Sequence, residues 1–343
     1  MMRAGMRIGG IYEWKQNAHY RVLIPLHALG RRGHDPVFAR AGSGEQGGAL
    51  APERIAGCDV VHGYRQLTDD EVRVVRRLVR AGAAFVWDTD DDLRSVPRGR
   101  PRQRRGDGPG AKARFARTVE LALSADVVTT STEPLAELYR SHGAARVEVL
   151  GNYLDRGAGR KQRKHDGIVI GWLAGLEHAA DVARIPVVEA LRRLLDAHPE
   201  VRVETIGLDL GLPADRYACD PLVDFERLQD RMARWDVAIA PLVDIPFNLA
   251  RSDVKLKEYA SVGLPWLASP VGPYVGYGES EGGRLVADGD WFEALERLVG
   301  ERRERAKLGK RARRWAKTQS IERHVERWER VYAEAIERRQ LRR

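Results

Sequence analysis

Short apolar runs alternate with amphipathic segments along the chain, which restricts the fold to strands and helices layered around parallel sheets. In the first half, strands are predicted at Arg7–Ile11, Asp59–His62, Ala83–Trp87 and Asp126–Thr130, and helices at Tyr20–Gly30, Asp69–Ala81, Arg114–Ser124 and Glu133–His142. In the second half, strands are predicted at Ile168–Leu173, Val201–Ile206, Asp236–Ala240 and Pro265–Ser269, and helices at Val187–His198 and Asp224–Arg234. The order of elements is that of two doubly wound α/β sheets in succession.

The length of 343 residues fits two domains of roughly 150 residues each. The segment Arg156–Gly167 is polar and basic and contains glycines. It is therefore predicted to be a linker (156–167) between a domain formed by residues 1–155 and a domain formed by residues 168–318. Residues 319–343 are predicted to form a terminal helix with one buried face. Its apolar positions are Val325, Trp328, Val331, Tyr332 and Ala335.

The composition indicates a globular enzyme of the bacterial cytoplasm. Hydrophobic residues make up 43% of the chain, which is enough for two cores. No apolar run approaches the roughly 20 residues that span a bilayer. The apolar residues after Met6 read as a first strand and not as a signal-peptide segment. Cys58 and Cys219 are far apart and lack the spacing of a zinc site or of a disulfide framework.

The net charge of +9 is concentrated in two regions. Residues 98–117 hold eight cations against Asp107 alone, in a stretch with prolines and glycines that is predicted to be mostly loop. Residues 301–343 hold 16 cations and seven acids. Such surfaces attract anionic lipid headgroups, nucleic acid or an acidic acceptor. One interpretation is therefore peripheral contact with an anionic surface such as a membrane, and the other is a solvated, arginine-rich surface without a partner.

The stretch Asn248–Tyr259 concentrates polar groups that suit a diphosphate. It is predicted to be helical, so that Arg251, Lys255 and Glu258 share one face at positions i, i+4 and i+7. A helix start with spare N–H groups, two cations and the Ser252 hydroxyl suits phosphate oxygens. The Glu258 carboxylate can then accept hydrogen bonds from a ribose. The alternative is a solvated amphipathic helix, but the flanking strands favour a ligand site.

Four carboxylates, Asp88, Asp90, Asp91 and Asp92, follow the predicted strand Ala83–Trp87. Three interpretations stay open. The cluster can bind a divalent cation through oxygen ligands, it can hold or deprotonate an acceptor hydroxyl, or it can cap the next helix. Like charges this close tend to raise the pKa of one carboxyl group, which would suit a base.

Two histidines lie at or beyond the carboxyl ends of predicted strands. His62 ends the strand Asp59–His62, where it is expected to face a cleft between the domains; a hydrogen-bonded structural histidine is the alternative. His178 lies in the loop after the first strand of the second half. Backbone N–H groups around Gly171 and Gly175 can meet phosphate or sugar there.

Taken in order, these segments resemble the GT-B glycosyltransferases, and specifically glycosyltransferase family 4. Asn248–Pro265 is close to the pattern N-x-x-K-S-x-x-K-x-x-E-Y-x-x-x-G-x-P of many members, with Arg251 in place of the first lysine. A V-G-P-Y turn follows at Val271–Tyr274. The segments Asp88–Leu93, Ala125–Leu135, Asn152–Leu154 and Ile170–His178 agree with the same order. The resemblance spans nearly the whole chain.

The resemblance implies two Rossmann-like domains that face each other across a cleft, with the terminal helix crossing back to the first domain. It implies transfer of a sugar from a nucleoside-diphosphate sugar to an acceptor hydroxyl, with retention of configuration and without a metal or another cofactor. The acceptor is left open between a glycan, a lipid-linked molecule, a natural product and nucleic acid. The family carries two glutamates eight positions apart. Glu258 matches the second, but Ala250 replaces the first, which leaves the donor sugar and the retention open.

By the same resemblance, the residues fall into three groups. Catalysis is assigned to Arg251, Lys255, Asp90 and His62. Donor binding is assigned to Glu258, Ser252, Asn248, Gly171, Gly175, His178 and Gly207. The acceptor side is assigned to Tyr20, Arg21, Asp88, Asp91 and Asp92. Two other classes stay open: a nucleotide-sugar epimerase or phosphorylase of the same fold, and a basic protein that binds or modifies nucleic acid.

Overall fold

The structure is a computed structural model that describes residues 5–12, 18–39, 50–65, 67–96, 109–163, 165–221 and 225–342. The chain divides into two compact units. Unit 1 is formed by Met1–Arg94, Asp107–Asp155 and Ile321–Arg343, and unit 2 mainly by Arg156–Ser320.

Unit 1 is built on a six-stranded parallel sheet with the order β2-β1-β3-β4-β5-β6. Its strands are β1 (Arg7–Ile11), β2 (Asp35–Phe38), β3 (Val60–Tyr64), β4 (Ala84–Thr89), β5 (Val127–Thr130) and β6 (Val147–Val149). Its helices include α1 (Ile24–Arg31), which a π-helical turn at His19–Leu23 precedes, α2 (Asp69–Ala81), α3 (Pro109–Ser124) and α4 (Glu133–Ser141). Strands β3 and β4 are buried along their whole length, because central parallel strands are covered on both faces.

Helix α2 shows how local signals set the bounds of an element. Thr68 Oγ1 accepts a hydrogen bond from the Glu71 amide, and the Glu71 carboxylate accepts one from the Thr68 amide, which is a capping box. Gly82 ends the helix with a positive φ of 112°, a conformation that glycine adopts without strain. The prediction of a helix over Asp69–Ala81 is confirmed at both ends.

Unit 2 contains a second six-stranded parallel sheet, with the order β12-β11-β10-β7-β8-β9. Its strands are β7 (Ile168–Ala174), β8 (Val201–Gly207), β9 (Tyr217–Asp220), β10 (Val237–Ala240), β11 (Trp266–Ala268) and β12 (Gly283–Leu285). Its helices include α5 (Ala179–Val182), α6 (Val187–Ala197), α7 (Phe225–Met232), α8 (Pro246–Leu249), α9 (Val254–Ser261), α10 (Trp291–Gly300) and α11 (Arg302–Thr318). The strand order reverses between β7 and β10, and ligands of doubly wound sheets bind beside such a reversal.

The stretch Asn248–Tyr259 departs from its prediction. It is not one helix but the end of α8 and the start of α9, separated by residues 250–253. Serine and aspartate favour helix ends over helix interiors, and Asp253 precedes α9, where it accepts from the Tyr277 hydroxyl at 2.5 Å and pairs with Lys257 at 2.8 Å. Arg251 therefore lies before the helix, and the predicted i, i+4, i+7 face is wrong.

The last helix, α12 (Val325–Leu341), packs on β4 and α1 of unit 1. The five apolar positions predicted for its inner face are all buried, and Trp328 and Tyr332 are fully so. Near its end, Arg339 reaches the buried carboxylate of Asp126 at 3.1 Å. The prediction that a terminal helix returns to the first half of the chain is confirmed.

Candidate functional site

The loops that follow β7 and β10 meet at the reversal point of unit 2. After β7, a 3-10 turn at Leu176–His178 leads into α5. After β10, the chain passes through α8 to α9. Because β7 pairs in parallel with β10, the carboxyl ends of the two strands lie side by side. Polar side chains of both loops therefore converge.

His178 lies at the centre of this cluster and is fully buried. Its Nδ1 is 2.6 Å from Asp181 Oδ2, and its Nε2 is 2.6 Å from Lys255 Nζ and 3.5 Å from Nη1 of Arg251. An ionised carboxylate only accepts hydrogen bonds, so the proton is assigned to Nδ1 and Nε2 accepts from Lys255. Burial, together with the charges of Lys255 and Arg251, holds the pKa of His178 well below its usual range. The imidazole is therefore neutral.

Arg251 and Lys255 are the cations of the cluster, and both keep part of their surface accessible. Arg251 donates to Glu177 Oε1 at 3.1 Å, and Lys255 donates to the Leu173 carbonyl at 2.5 Å. Burial and the charge of Arg251 lower the pKa of Lys255 to about 7, although Glu177 and Asp181 oppose the shift. An anion bound beside Lys255 would raise that pKa and stabilise the charged form.

Asp181 contacts His178 on its own loop and forms hydrogen bonds to the loop that follows β10. Its Oδ1 accepts from the Val243 amide at 2.8 Å and from Nδ2 of Asn248 at 2.8 Å. Asn248 Nδ2 also donates to the Val243 carbonyl at 2.9 Å. One bond of the Asn248 amide group thus connects the two loops and the other braces the loop after β10, and the predicted contact of Asn248 with a donor stays a prediction.

The structure brings together four residues predicted for catalysis or donor binding: Arg251, Lys255, His178 and Asn248. Glu258 is buried about one turn beyond Lys255 on α9, and Ser252 is half-buried in the segment before α9. Sequence reasoning missed Asp181. Its signal was the spacing of three residues from His178, which brings two side chains together on one helical turn.

The three glycines predicted for the donor site, Gly171, Gly175 and Gly207, have different structural roles. A Cβ at Gly175 would lie 2.2 Å from Oε2 of Glu177, so the Glu177 carboxylate rests on this backbone. A Cβ at Gly171 would lie 1.8 Å from the Trp235 ring, so this glycine makes room for an indole inside the sheet. Gly207 ends β8 with a positive φ of 107°. The structure thus gives Gly171 a packing role, and its predicted contact with phosphate or sugar stays a prediction.

In unit 1, Arg21 and Asp88 form an ion pair that is completely buried. Arg21 Nε is 2.9 Å from Asp88 Oδ1, and Nη2 is 2.6 Å from Oδ2. Arg21 Nη1 also donates to Asn152 Oδ1 at 3.0 Å, and Thr129 donates to Asp88. Burial alone would lower the pKa of Arg21. The charge of Asp88 and its hydrogen bonds act in the opposite direction, and the pKa of Arg21 is raised. The acceptor-side role predicted for Arg21 and Asp88 is corrected, because neither side chain is accessible.

Asp90 is the centre of a second cluster in unit 1. Its Oδ1 accepts from the Tyr64 hydroxyl at 2.5 Å and from Arg65 at 2.8 and 3.0 Å. Asp91 pairs with the same Arg65. Burial raises the pKa of Asp90, but the charges of Arg65 and Arg21 and the hydrogen bonds from Tyr64 and Arg65 together outweigh burial and leave the pKa lowered. The expectation of a raised pKa that would suit a base is therefore not met at Asp90.

Asp92 has a structural contact in the turn after β4, where residues 93–96 form no helix for it to cap. Its Oδ1 accepts from the amide and from Nε of Arg94, both at 3.0 Å. Among the residues that the structure describes, no group of three or more histidine, cysteine or carboxylate side chains is arranged to hold a metal ion. Tyr20, the remaining acceptor-side candidate, is half-buried against the core of unit 1.

His62 lies inside β3 and is fully buried beneath α12. Its Nδ1 is 2.9 Å from the Tyr332 hydroxyl, and its ring is 5.9 Å from that of Trp328. Burial lowers its pKa to about 4. Because α12 covers the ring, the structural histidine is the interpretation that the structure favours, and the expected exposure to a cleft is not met.

The two basic regions of the sequence are residues 98–117 and residues 301–343. Residues 98–108 lie outside the described part of the chain. On α11, five cations spaced three or four residues apart are exposed: Arg303, Lys307, Lys310, Arg314 and Lys317. At the end of α12 and just after it, by contrast, Arg338, Arg339 and Arg342 all bond to Asp126. Among the helices described, none is long and apolar enough to cross a bilayer.

A groove of 570 Å³ lies between α2 and α3 in unit 1. Its floor is apolar and includes Val72, Phe85 and Leu121, and the Arg76–Glu120 ion pair stands at its edge. No residue predicted for the site lines this groove, so its size does not connect it with the polar clusters.

No family model matches the chain, and no curated sequence matches it. Solved structures do. A sucrose-phosphate synthase from Thermosynechococcus elongatus superposes with a TM-score of 0.67 at 14% identity, covering 96% of this chain and 98% of that one. HepE from Anabaena, in complex with UDP-glucose, gives a TM-score of 0.64 at 14% identity, covering 94% of this chain and 98% of that one.

An alpha-glucosyltransferase in complex with UDP-glucose and DNA containing an abasic site is similar to the same extent. Its TM-score is 0.67 at 11% identity, and the match covers 96% of this chain and all of the other. Two doubly wound parallel sheets with a returning terminal helix are the GT-B glycosyltransferase fold, and the chain has that fold. Identities this low show the fold alone.

Proposed function

We propose that the protein is a glycosyltransferase that moves a sugar from a nucleoside-diphosphate sugar to an acceptor hydroxyl. The observation that carries the proposal is the position of Arg251 and Lys255. Two partly accessible cations meet at a neutral imidazole at the reversal point of unit 2, where doubly wound sheets bind their ligands. The lowered pKa of Lys255 indicates that the cluster gains stability when an anion binds.

Departure of the diphosphate builds negative charge on its oxygens. Arg251 and Lys255 would stabilise this charge from fixed positions, in a partly buried site where electrostatic interactions are stronger than in water. Glu258 is proposed to bind the ribose, and Ser252 to bind the diphosphate with the two cations. Retention of configuration and independence of a metal belong to the proposal through the resemblance to glycosyltransferase family 4.

The division of labour between the two halves of the chain is part of the proposal. Donor binding is assigned to residues 168–318 and acceptor binding to residues 1–155, with residues 156–167 as the linker. Two of the similar structures hold UDP-glucose, and one of these also holds DNA. This supports UDP-glucose as the first donor to test and nucleic acid as one acceptor to test. A cytoplasmic enzyme in peripheral contact with an anionic surface fits the exposed cations of α11.

The first experiment is thermal unfolding in the presence of UDP, GDP, ADP, dTDP or CMP, with Glu258→Ala alongside. A ligand at 100 times its dissociation constant adds roughly 2.7 kcal/mol, which raises the melting temperature by several degrees. One nucleotide that stabilises the wild type more than the variant would support the site and identify the base. If none of the five nucleotides stabilised the wild type, the proposal would be contradicted.

Product analysis then separates transfer from other chemistry of the same fold. The enzyme is incubated with UDP-glucose, or with the sugar nucleotide of the base identified, in the presence and absence of candidate acceptors. A glycosylated acceptor supports the transferase. Epimerised donor, or sugar phosphate formed with inorganic phosphate alone, would indicate an epimerase or a phosphorylase instead.

A further inference from the structure

We propose that Asp181 is a positioning residue of the donor site, which acts through His178 to hold Lys255 where a diphosphate binds. The inference rests on the proposed function, since it assigns the diphosphate to the cluster around Lys255. Asp181 is itself buried, with 1% of its surface exposed, so it acts through its neighbour and not by touching the ligand.

The first step is the orientation of the imidazole. Asp181 Oδ2 is 2.6 Å from His178 Nδ1, and the carboxylate can only accept there. This fixes one tautomer, in which Nε2 carries a lone pair and not a hydrogen. That lone pair faces Lys255 Nζ at 2.6 Å. With the other tautomer, an N–H of the ring would point at the ammonium group of the charged lysine, which has no lone pair to accept it.

The second step is the anchoring of Asp181. Its Oδ1 accepts two hydrogen bonds of 2.8 Å, from the Val243 amide and from Asn248. Both donors belong to the chain that follows β10, whereas Asp181 and His178 belong to the chain that follows β7. The carboxylate therefore cannot turn without breaking bonds on both loops, and the ring of His178 is held in turn.

The third step concerns the charges around Lys255. Arg251 lowers the pKa of the lysine, while Glu177 and Asp181 raise it, and burial lowers it most. His178 is neutral near pH 7, and burial raises the pKa of the Tyr274 hydroxyl above its usual range, so neither adds charge there. Removing the charge of Asp181 would therefore move the deprotonation of Lys255 to lower pH. A diphosphate would then meet an uncharged lysine over a wider pH range.

The test compares Asp181→Asn with Asp236→Asn as its matched control. Asp236 also accepts from a backbone amide, that of Val169 at 2.9 Å, and also contacts a histidine, His165 at 3.3 Å, but it precedes β10 and lies at the opposite end of the sheet. Inorganic pyrophosphate is the probe, because it needs no base or sugar. Its affinity is measured by calorimetry between pH 6 and 9, and titration of the pyrophosphate itself cancels in the ratio of variant to wild type.

We expect Asp181→Asn to bind pyrophosphate about tenfold more weakly at pH 7.5, as for the loss of a hydrogen bond to a charged group. The wild-type affinity is expected to fall as pH rises through about 7, and in Asp181→Asn this fall moves to lower pH. Asp236→Asn should leave the affinity for pyrophosphate and its dependence on pH unchanged. An unchanged affinity and pH profile in Asp181→Asn would overturn the inference and leave the proposed function standing.

A second measurement on the wild type covers the case in which Asp181→Asn does not fold. Nitrogen NMR of the histidine rings, with His178 assigned from its loss in His178→Asn, reports which ring nitrogen carries the proton. The inference requires the Nδ1–H tautomer, and an Nε2–H tautomer overturns it. If the wild type bound neither pyrophosphate nor any nucleoside diphosphate, the donor site itself would be wrong, and the proposed function would fail with the inference.

Discussion

The two units differ in what their buried cations contact near the carboxyl ends of the central strands. In unit 1, Arg21 meets Asp88 and Arg65 meets Asp90, each in direct ion pairs. In unit 2, Lys255 meets the neutral ring of His178 and a backbone carbonyl. The same type of sheet thus supports cations held by carboxylates in unit 1 and, in unit 2, a lysine that contacts a neutral ring and a carbonyl, although Arg251 beside it pairs with Glu177.

The pKa shifts express this difference. Opposing carboxylates raise the pKa of Arg21 and of Arg65 despite burial, so these charges are fixed by their partners. The pKa of Lys255 is lowered to about 7, because burial and Arg251 outweigh the carboxylates nearby. Mutual pairing indicates charges that support the fold, whereas a cation with a lowered pKa and a partly accessible surface indicates a place for an anion.

The largest expected effect tests the structural side of this comparison. Arg21→Met leaves Asp88 buried without its partner, and breaking such a pair costs about 3–5 kcal/mol. We expect the free energy of unfolding, measured in urea by circular dichroism, to fall by that amount. Arg32→Met is the control, because Arg32 pairs with Glu329 at the surface and should cost at most about 1 kcal/mol. Equal losses in the two variants would show that the buried pair has no special role.

The next effect tests the functional side. Lys255→Met should reduce turnover of the donor by about 100- to 1,000-fold, the loss typical of removing one group that stabilises charge in the transition state. The control is Lys307→Met, an exposed lysine of α11 that should leave turnover unchanged. Steady-state kinetics with the donor identified by thermal unfolding measures both. Wild-type turnover in Lys255→Met would remove the main support for the site.

The same variant carries a pH prediction for stability. The pKa of Lys255 is about 7 in the folded protein, below the 10.5 of an ordinary lysine, so the unfolded chain binds more protons between these values. Stability of the wild type relative to Lys255→Met should therefore rise as pH rises from about 7 towards 10.5. Unfolding in urea at several pH values measures the difference, and a difference independent of pH would contradict the lowered pKa.

The sequence predicts the fold best where local signals are complete. Helix α2 is predicted at both bounds because its capping box and its terminal glycine are adjacent to an apolar face. Strands β2, β6, β9 and β12 were not predicted. All four are edge strands with partly or fully exposed residues, and they form by pairing with a neighbour.

The site is predicted only in part. Arg251 and Lys255 do converge, although not through the helix face that their spacing suggested. The partner of Arg21 is Asp88, 67 positions away, and no local sequence pattern indicates that the two form a buried ion pair. The covering of His62 by Tyr332 joins residues 270 positions apart. Charge types can be read from a sequence, but whether a charge is paired depends on contacts that only the folded chain makes.

A smaller effect separates the nucleoside from the diphosphate. Glu258→Ala should weaken binding of the nucleoside diphosphate about tenfold, because it removes hydrogen bonds to the ribose. Its affinity for inorganic pyrophosphate should not change. Glu189→Ala, on the exposed face of α6, is the control. Calorimetry with both ligands checks this, and an equal loss for both would place Glu258 on the diphosphate and not on the ribose.

The smallest effect extends the contrast between paired and unpaired charges to the surface. Lys310, Arg314 and Lys317 are exposed on α11, and the described residues include no ion-pair partner for them. Replacing all three by glutamine should change the free energy of unfolding by no more than about 0.5 kcal/mol per residue.

These three cations form a stripe along α11. If the stripe contacts a polyanion, the dependence of DNA binding on salt should become shallower by about one unit of log–log slope per cation removed. Arg140→Gln, which removes an exposed cation already paired with Glu133, should leave that slope unchanged. Binding that is weak and insensitive to salt in every variant would identify the stripe as a solvated surface, and would confine the unpaired charges that matter to the cluster around Lys255.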